Sequence, residues 1–174
     1  METFLEILKY TLPSLVVFAA AYFLLKEFLD DKQRSNLASK KLEAQKITLP
    51  LRLQAYERFA LFCDRVALPN LMLRIQSPGM TVRDLHAALL VSIRQEFEHN
   101  VAQQIYVSST LWQIISLAVD ETLSVVSRSA NGLEPTADAE QLTDALFANL
   151  QTQGSPTPLE KALAAIRTEA ASMF

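Results

Sequence analysis

The residues whose spacing comes nearest to chemistry are Glu96-x-x-His99, a carboxylate and an imidazole one helical turn apart. At i and i+3 both side chains leave one face of a helix, the arrangement with which ferritin-like proteins hold a pair of metal ions. Such a centre needs a second Glu-x-x-His and two more glutamates on facing helices. The other histidine, His86, has Arg83 three residues before it instead. Neither a metal nor a cofactor is expected from this set. Cys63 stands in an apolar run with no CxxC partner, and so reads as a small core residue rather than a nucleophile. With three glycines and neither GxGxxG nor a phosphate-binding loop, the chain does not resemble a nucleotide fold, and it has no GxSxG elbow. No catalytic motif is present, and an enzyme is the less favoured reading.

Three residues are polar where helical periodicity calls for apolar ones. Arg52 falls in the middle of the apolar arc formed by Leu51, Ala55, Tyr56, Phe59, Phe62, Cys63 and Val66. Glu96 and Asn100 fall inside the stripe Leu85, Leu89, Ile93, Phe97. An unpaired charge inside a bundle costs several kcal/mol, roughly 3 to 5 when its partner is removed. Arg52 and Glu96 are therefore expected to meet, or to share a network with Asn100, His99 or His86. The cluster Arg52, Glu96, His99 and Asn100 is the candidate site, either fixing how two helices dock, or lying at the rim with side chains that reach water, or receiving an anionic group or a partner's carboxylate.

The elements that must position these residues are all helices, with no alternating strand pattern. Pro50 suits the first turn of a helix from about residue 48 to 67, followed by a short apolar piece at 70–75 and a turn at Ser77-Pro78-Gly79. Thr81 and Asp84 form a capping box that opens a helix to about Gln104. Ser108 or Ser109 caps the next, with Leu111, Ile114, Ile115, Ala118, Val119, Thr122, Val125 and Val126 inward, ending at Asn131-Gly132. Leu142, Leu146 and Leu150 line a shorter helix that stops before Gly154. Thr157, Pro158 and Glu160 open the last one, ahead of Leu159, Leu163, Ile166, Ala170 and Met173. A stretch of this length buries one core without metal or disulfide.

Ahead of the bundle, residues 10–25 carry no charge, and Phe4, Leu5, Ile7 and Leu8 extend the apolar run backwards. A helix over about residues 4–28 has the roughly 20 residues that a transmembrane span needs. A cleavable leader ending at Ala21 is the rival, but the basic start that such leaders carry is missing here. Lys26, Lys32, Arg34, Lys40, Lys41 and Lys46 follow the span, so the N-terminus is expected outside and the bulk in the cytoplasm. The expected architecture is thus all-α: a membrane anchor at 1–25, a charged helical linker at 26–47, and a bundle of about five helices at 48–174. Charge divides unevenly, with residues 26–94 at +5 and residues 95–174 at −7. The net charge of −3 and pI near 5.4, with no aromatic-interleaved basic patch, argue against nucleic acid.

The strings Ile47-Thr48-Leu49-Pro50-Leu51-Arg52-Leu53-Gln54-Ala55-Tyr56-Glu57-Arg58, Gly79-Met80-Thr81 and Ile93-Arg94-Gln95-Glu96-Phe97-Glu98-His99-Asn100 resemble an uncharacterised bacterial family. Its members are short proteins with one N-terminal membrane helix and a helical cytoplasmic part. The resemblance covers nearly the whole chain; it implies topology and no activity. The functional expectation is a membrane-anchored helical adaptor, scaffold or accessory subunit. Its partners would be the lipid bilayer through residues 4–28 and another membrane or cytoplasmic protein, and a homo-oligomer is compatible with the sequence. The alternative is a ligand-binding protein or enzyme with a polar pocket near Arg52, Glu96 and His99.

Overall fold

A computed structural model describes the backbone of residues 2–174 and the side chains of residues 15–33, 39–40, 42–152 and 154–174. Helix α1 is Glu2–Val66, α2 is Leu68–Ile75 and α3 is Val82–Asn100, which passes into a 3-10 segment, Val101–Tyr106. Then come α4, Ser109–Ala130, α5, Ala139–Gln153, and α6, Pro158–Ala171. The described residues contain no β-strand, only an isolated antiparallel bridge between Thr81 and Asp138. The chain divides into two compact units, Met1–Thr48 and Leu49–Phe174.

In the first unit, the anchor requires correction. Among the described residues no helix is long and apolar enough to cross a membrane. The physical reason is length: the uncharged run of the sequence, residues 10–25, is bounded by Lys9 on one side and by Lys26 and Glu27 on the other, with Asp30, Asp31 and Lys32 a turn later. It falls short of the roughly 20 residues a span requires. The beginning of the expected anchor, residues 4–14, lies outside the residues whose side chains are described. The single-pass topology and the membrane location built on that anchor are therefore not supported.

The second unit is a helical bundle, and its core follows the sequence periodicity closely. Tyr56, Phe59, Phe62, Cys63 and Val66 from α1 meet Leu85, Leu89 and Ile93 from α3 in one apolar cluster. Leu111, Ile115, Val119 and Val126 of α4, Leu142 and Leu146 of α5, and Leu159 and Ile166 of α6 complete it. Phe97, at the end of the α3 stripe, is half-buried and stacks on Trp112 with ring centroids 5.3 Å apart.

The starts of the helices form as their side chains dictate. Thr81 Oγ1 accepts from the Asp84 N–H at 3.2 Å while the Asp84 carboxylate accepts from the Thr81 N–H at 3.1 Å. Thr157 and Glu160 make the same reciprocal pair at α6. Ser108 caps α4 through the Leu111 N–H. Backbone bonds from Val82 N to Ala137 O at 2.9 Å and from Ala139 N to Met80 O at 3.1 Å tie the start of α3 to that of α5.

Two boundaries differ from expectation. Pro50 lies within α1 rather than in a first turn, so the helix lacks the N–H that would otherwise bond the Lys46 carbonyl. The helix opened by Thr81 ends at Asn100 and tightens into the 3-10 segment. The apolar piece around residue 70 is a true helix, α2, with Pro69 in its first turn where a missing N–H costs no hydrogen bond.

Candidate functional site

The four residues singled out from the sequence have different side-chain partners. Arg52 is half-buried: its Nε donates to the Tyr106 carbonyl at 2.9 Å and its Nη2 to the Tyr56 hydroxyl at 3.0 Å. Its carboxylate partner is Glu169 at 4.0 Å, not Glu96. Glu96 instead binds Arg65 at 2.7 Å, joining α3 to α1. Asn100 is buried and turns back on its own helix, its amide donating to the Glu96 carbonyl at 2.7 Å. His99 is exposed. The expected pairing of Arg52 with Glu96 is therefore corrected: each charge is neutralised by a different partner. The physical reason is that periodicity gives the face on which each charge lies but not the residue across from it, which packing makes Glu169 of α6 for Arg52 and Arg65 of α1 for Glu96.

Around Glu169 the structure builds a polar junction that periodicity did not reveal. Its Oε1 accepts from the Tyr56 hydroxyl at 3.0 Å and from the Ser108 N–H at 2.9 Å, and its Oε2 accepts from the Ser108 hydroxyl. Burial pushes the Glu169 carboxyl up, but the two Ser108 bonds, the Tyr56 bond and the Arg52 charge outweigh it, so its pKa lies below the usual glutamate value. Tyr56 is raised, by burial first and then by its bond to the Glu169 carboxylate. The junction joins α1, the end of the 3-10 segment, the start of α4 and the end of α6. Chemically it is a satisfied clamp, with each polar group committed to a neighbour. One signal for it existed in the sequence: an acid in the last turn of α6 opposes that helix's own dipole, and so calls for an outside partner.

An open groove of about 590 Å³ lies elsewhere in the bundle, between the end of α1, the start of α2, α4, α5 and the start of α6. Its base is buried and mostly apolar, made of Cys63, Thr122, Val125 and Leu159. Thr122 keeps its hydroxyl satisfied on the Ala118 carbonyl at 2.7 Å. Phe147 and Leu150 of α5, Leu163 of α6, and Leu68 and Pro69 of α2 complete its apolar lining. Phe147 is 44% exposed, unusual for a ring in so apolar a setting. Burial pushes the Cys63 thiol up to about 12, which keeps it protonated at neutral pH and chemically quiet. The polar edge consists of Asp64, Asn70, Gln151, Thr157 and Glu160. None of the sequence-chosen polar residues lines it.

A groove of this size and composition is the usual form of a binding site, mostly apolar with a few polar groups at the margin. Among the described residues no group of three or more His, Cys, Asp or Glu is placed to hold a metal ion. Phe147 had been legible in one respect: it sits off the Leu142, Leu146, Leu150 stripe, on the polar side of α5.

No curated protein and no solved structure matches the chain. A family model matches residues 2–173, almost the full length. The chain belongs to the family of unknown function DUF7935.

Proposed function

We propose that the Leu49–Phe174 bundle is a protein-interaction module, an adaptor, scaffold or accessory subunit that receives a partner in the groove beside Phe147. The observation that carries this reading is the groove itself: a half-exposed aromatic ring beside a buried, mostly apolar base. Burial of such a ring is what a partner gains on docking, since aromatic anchors seated in apolar pockets dominate interface energetics. The alternative, a polar pocket at Arg52, Glu96 and His99, has less behind it. Arg52 and Glu96 are each neutralised elsewhere, and His99 stands at the surface.

Site-specific photocrosslinking tests the reading. A photoreactive side chain replaces Phe147 in the full-length protein, and a second variant carries it at the exposed Gln113 as a control. A discrete adduct at position 147, absent at 113 and lost when Leu163→Arg is added, is the expected result. Adducts that are equal at both positions, or absent from both, would remove the groove from the account.

A further inference from the structure

The groove's margin is acidic, and we infer that its occupant is an amphipathic helix of a partner protein, apolar on the face that enters the groove and flanked by lysine or arginine. This rests on the reading of the groove as an interaction site and specifies what binds there.

The charge pattern supplies the argument. Both charged residues on the groove's edge, Asp64 and Glu160, are acids. Helix α5, which contributes Phe147 to the wall, contains Glu140 and Asp144 and no lysine or arginine. At 100° per residue Glu140, Asp144, Phe147 and Gln151 fall within about 60° of one another, so the acids continue the row that carries the ring. All four are exposed. Among the described residues the ion pairs are Arg52 with Glu169 and Arg65 with Glu96, so none of Asp64, Glu140, Asp144 and Glu160 is neutralised. Glu160 is held in its charged form, chiefly by the Thr157 backbone N–H. The cations Lys161 and Arg128 line, with Glu121, an adjoining depression that shares Val125, Thr157 and Pro158 with the groove, and neither lines the groove itself. Residues 95–174 as a whole hold ten acids against three bases.

An apolar trough with Asp64 and Glu160 on its edge and Glu140 and Asp144 in the row of Phe147, none of them in an ion pair, matches a helix that presents apolar anchors at i, i+3, i+4 and i+7 and cations beside them. Apolar burial supplies affinity, and the charges set register and exclude acidic partners. A neutral apolar ligand would use the trough but leave the carboxylates idle. A helix with acidic flanks would meet repulsion.

The test uses the full-length protein and two synthetic helical peptides of about 18 residues, five turns. They share one leucine face and differ only in whether lysine or glutamate flanks it. Fluorescence anisotropy should give a Kd for the lysine peptide at least about tenfold lower than for the glutamate peptide, a preference that shrinks as salt rises. Phe147→Glu, at an exposed position, should abolish binding of the lysine peptide. Glu140→Lys with Asp144→Lys, both on the surface, should invert the preference. Equal affinity for both peptides, still lost in Phe147→Glu, would overturn the basic-helix assignment while leaving the groove as an interaction site. No binding of either peptide would overturn the inference, and the crosslinking experiment then decides the groove reading separately. Binding of the lysine peptide that Phe147→Glu leaves unchanged would place it on some other acidic surface and also overturn the inference.

Discussion

The Glu169 carboxylate sits in the last turn of α6, where its own helix disfavours negative charge, yet it also lies against the first turn of α4, where negative charge is favoured. Its acceptors are used by Ser108 and Tyr56, and Arg52 supplies the nearby positive charge. Because its pKa is lower in the folded chain than in the unfolded one, its contribution to stability is complete above the ordinary glutamate range. That contribution is lost as pH falls through the folded value. Glu169→Gln should cost about 1 to 3 kcal/mol at pH 7, the penalty for weakening charged hydrogen bonds at a partly buried site. The difference from the native chain should narrow as pH falls from about 5 to about 3. Denaturant midpoints at both pH values check this. Asp84 and Glu160 are also shifted down by their capping bonds, so the native chain has more than one source of acid sensitivity, and only the difference between the two proteins isolates Glu169. A penalty that did not change with pH would show that shape, not charge, holds the junction.

At the scale of elements, the helix starts were the most legible features, because each is a local bargain between a side chain and the backbone three residues on. Thr81 with Asp84, Ser108, and Thr157 with Glu160 stand where the spacing predicts. Thr157→Ala removes the acceptor for the Glu160 N–H, and should lower the stability of the bundle by about 1 kcal/mol. Thr168→Ala is the control within the same helix: its hydroxyl only returns to the Ala164 carbonyl on an exposed face, and the change should fall within about 0.5 kcal/mol. Equal effects would mean that the cap contributes nothing beyond helix propensity. Boundaries without a capping side chain proved harder to read. Pro50 is a strong sign of a first turn, but α1 continues through it at the loss of one hydrogen bond. The tightening of the chain after Asn100 follows from contacts with distant residues, such as the Arg52 bond to the Tyr106 carbonyl.

For the whole molecule, the buried residues among those described run from Ala55 to Ile166, all within the Leu49–Phe174 unit. A core so contained has what an independent domain needs. A fragment of residues 49–174 should unfold in one cooperative transition, with a denaturant midpoint equal to that of the bundle in the full-length chain. Circular dichroism and tryptophan fluorescence should coincide, since Trp112 packs on Phe59 and Phe97 inside that core. A midpoint lowered in the fragment would show that residues before 49 contribute to the bundle's stability.

The sequence by itself determined that the chain is helical, where α3, α4 and α6 begin, and most of the residues that enter the core, because capping and apolar periodicity act within a few residues of the chain. It also marked Arg52, Glu96 and Asn100 as polar residues in apolar positions. Only the tertiary structure decided who meets whom: Arg52 with Tyr106, Tyr56 and Glu169, and Glu96 with Arg65. It alone assembled the groove beside Phe147, since three stretches remote from one another in sequence, 63–70, 122–125 and 147–163, contribute to it. The physical reason is the same in both cases. Periodicity records which face of a helix is buried, whereas the partner across that face depends on how helices pack, and no local spacing encodes that choice.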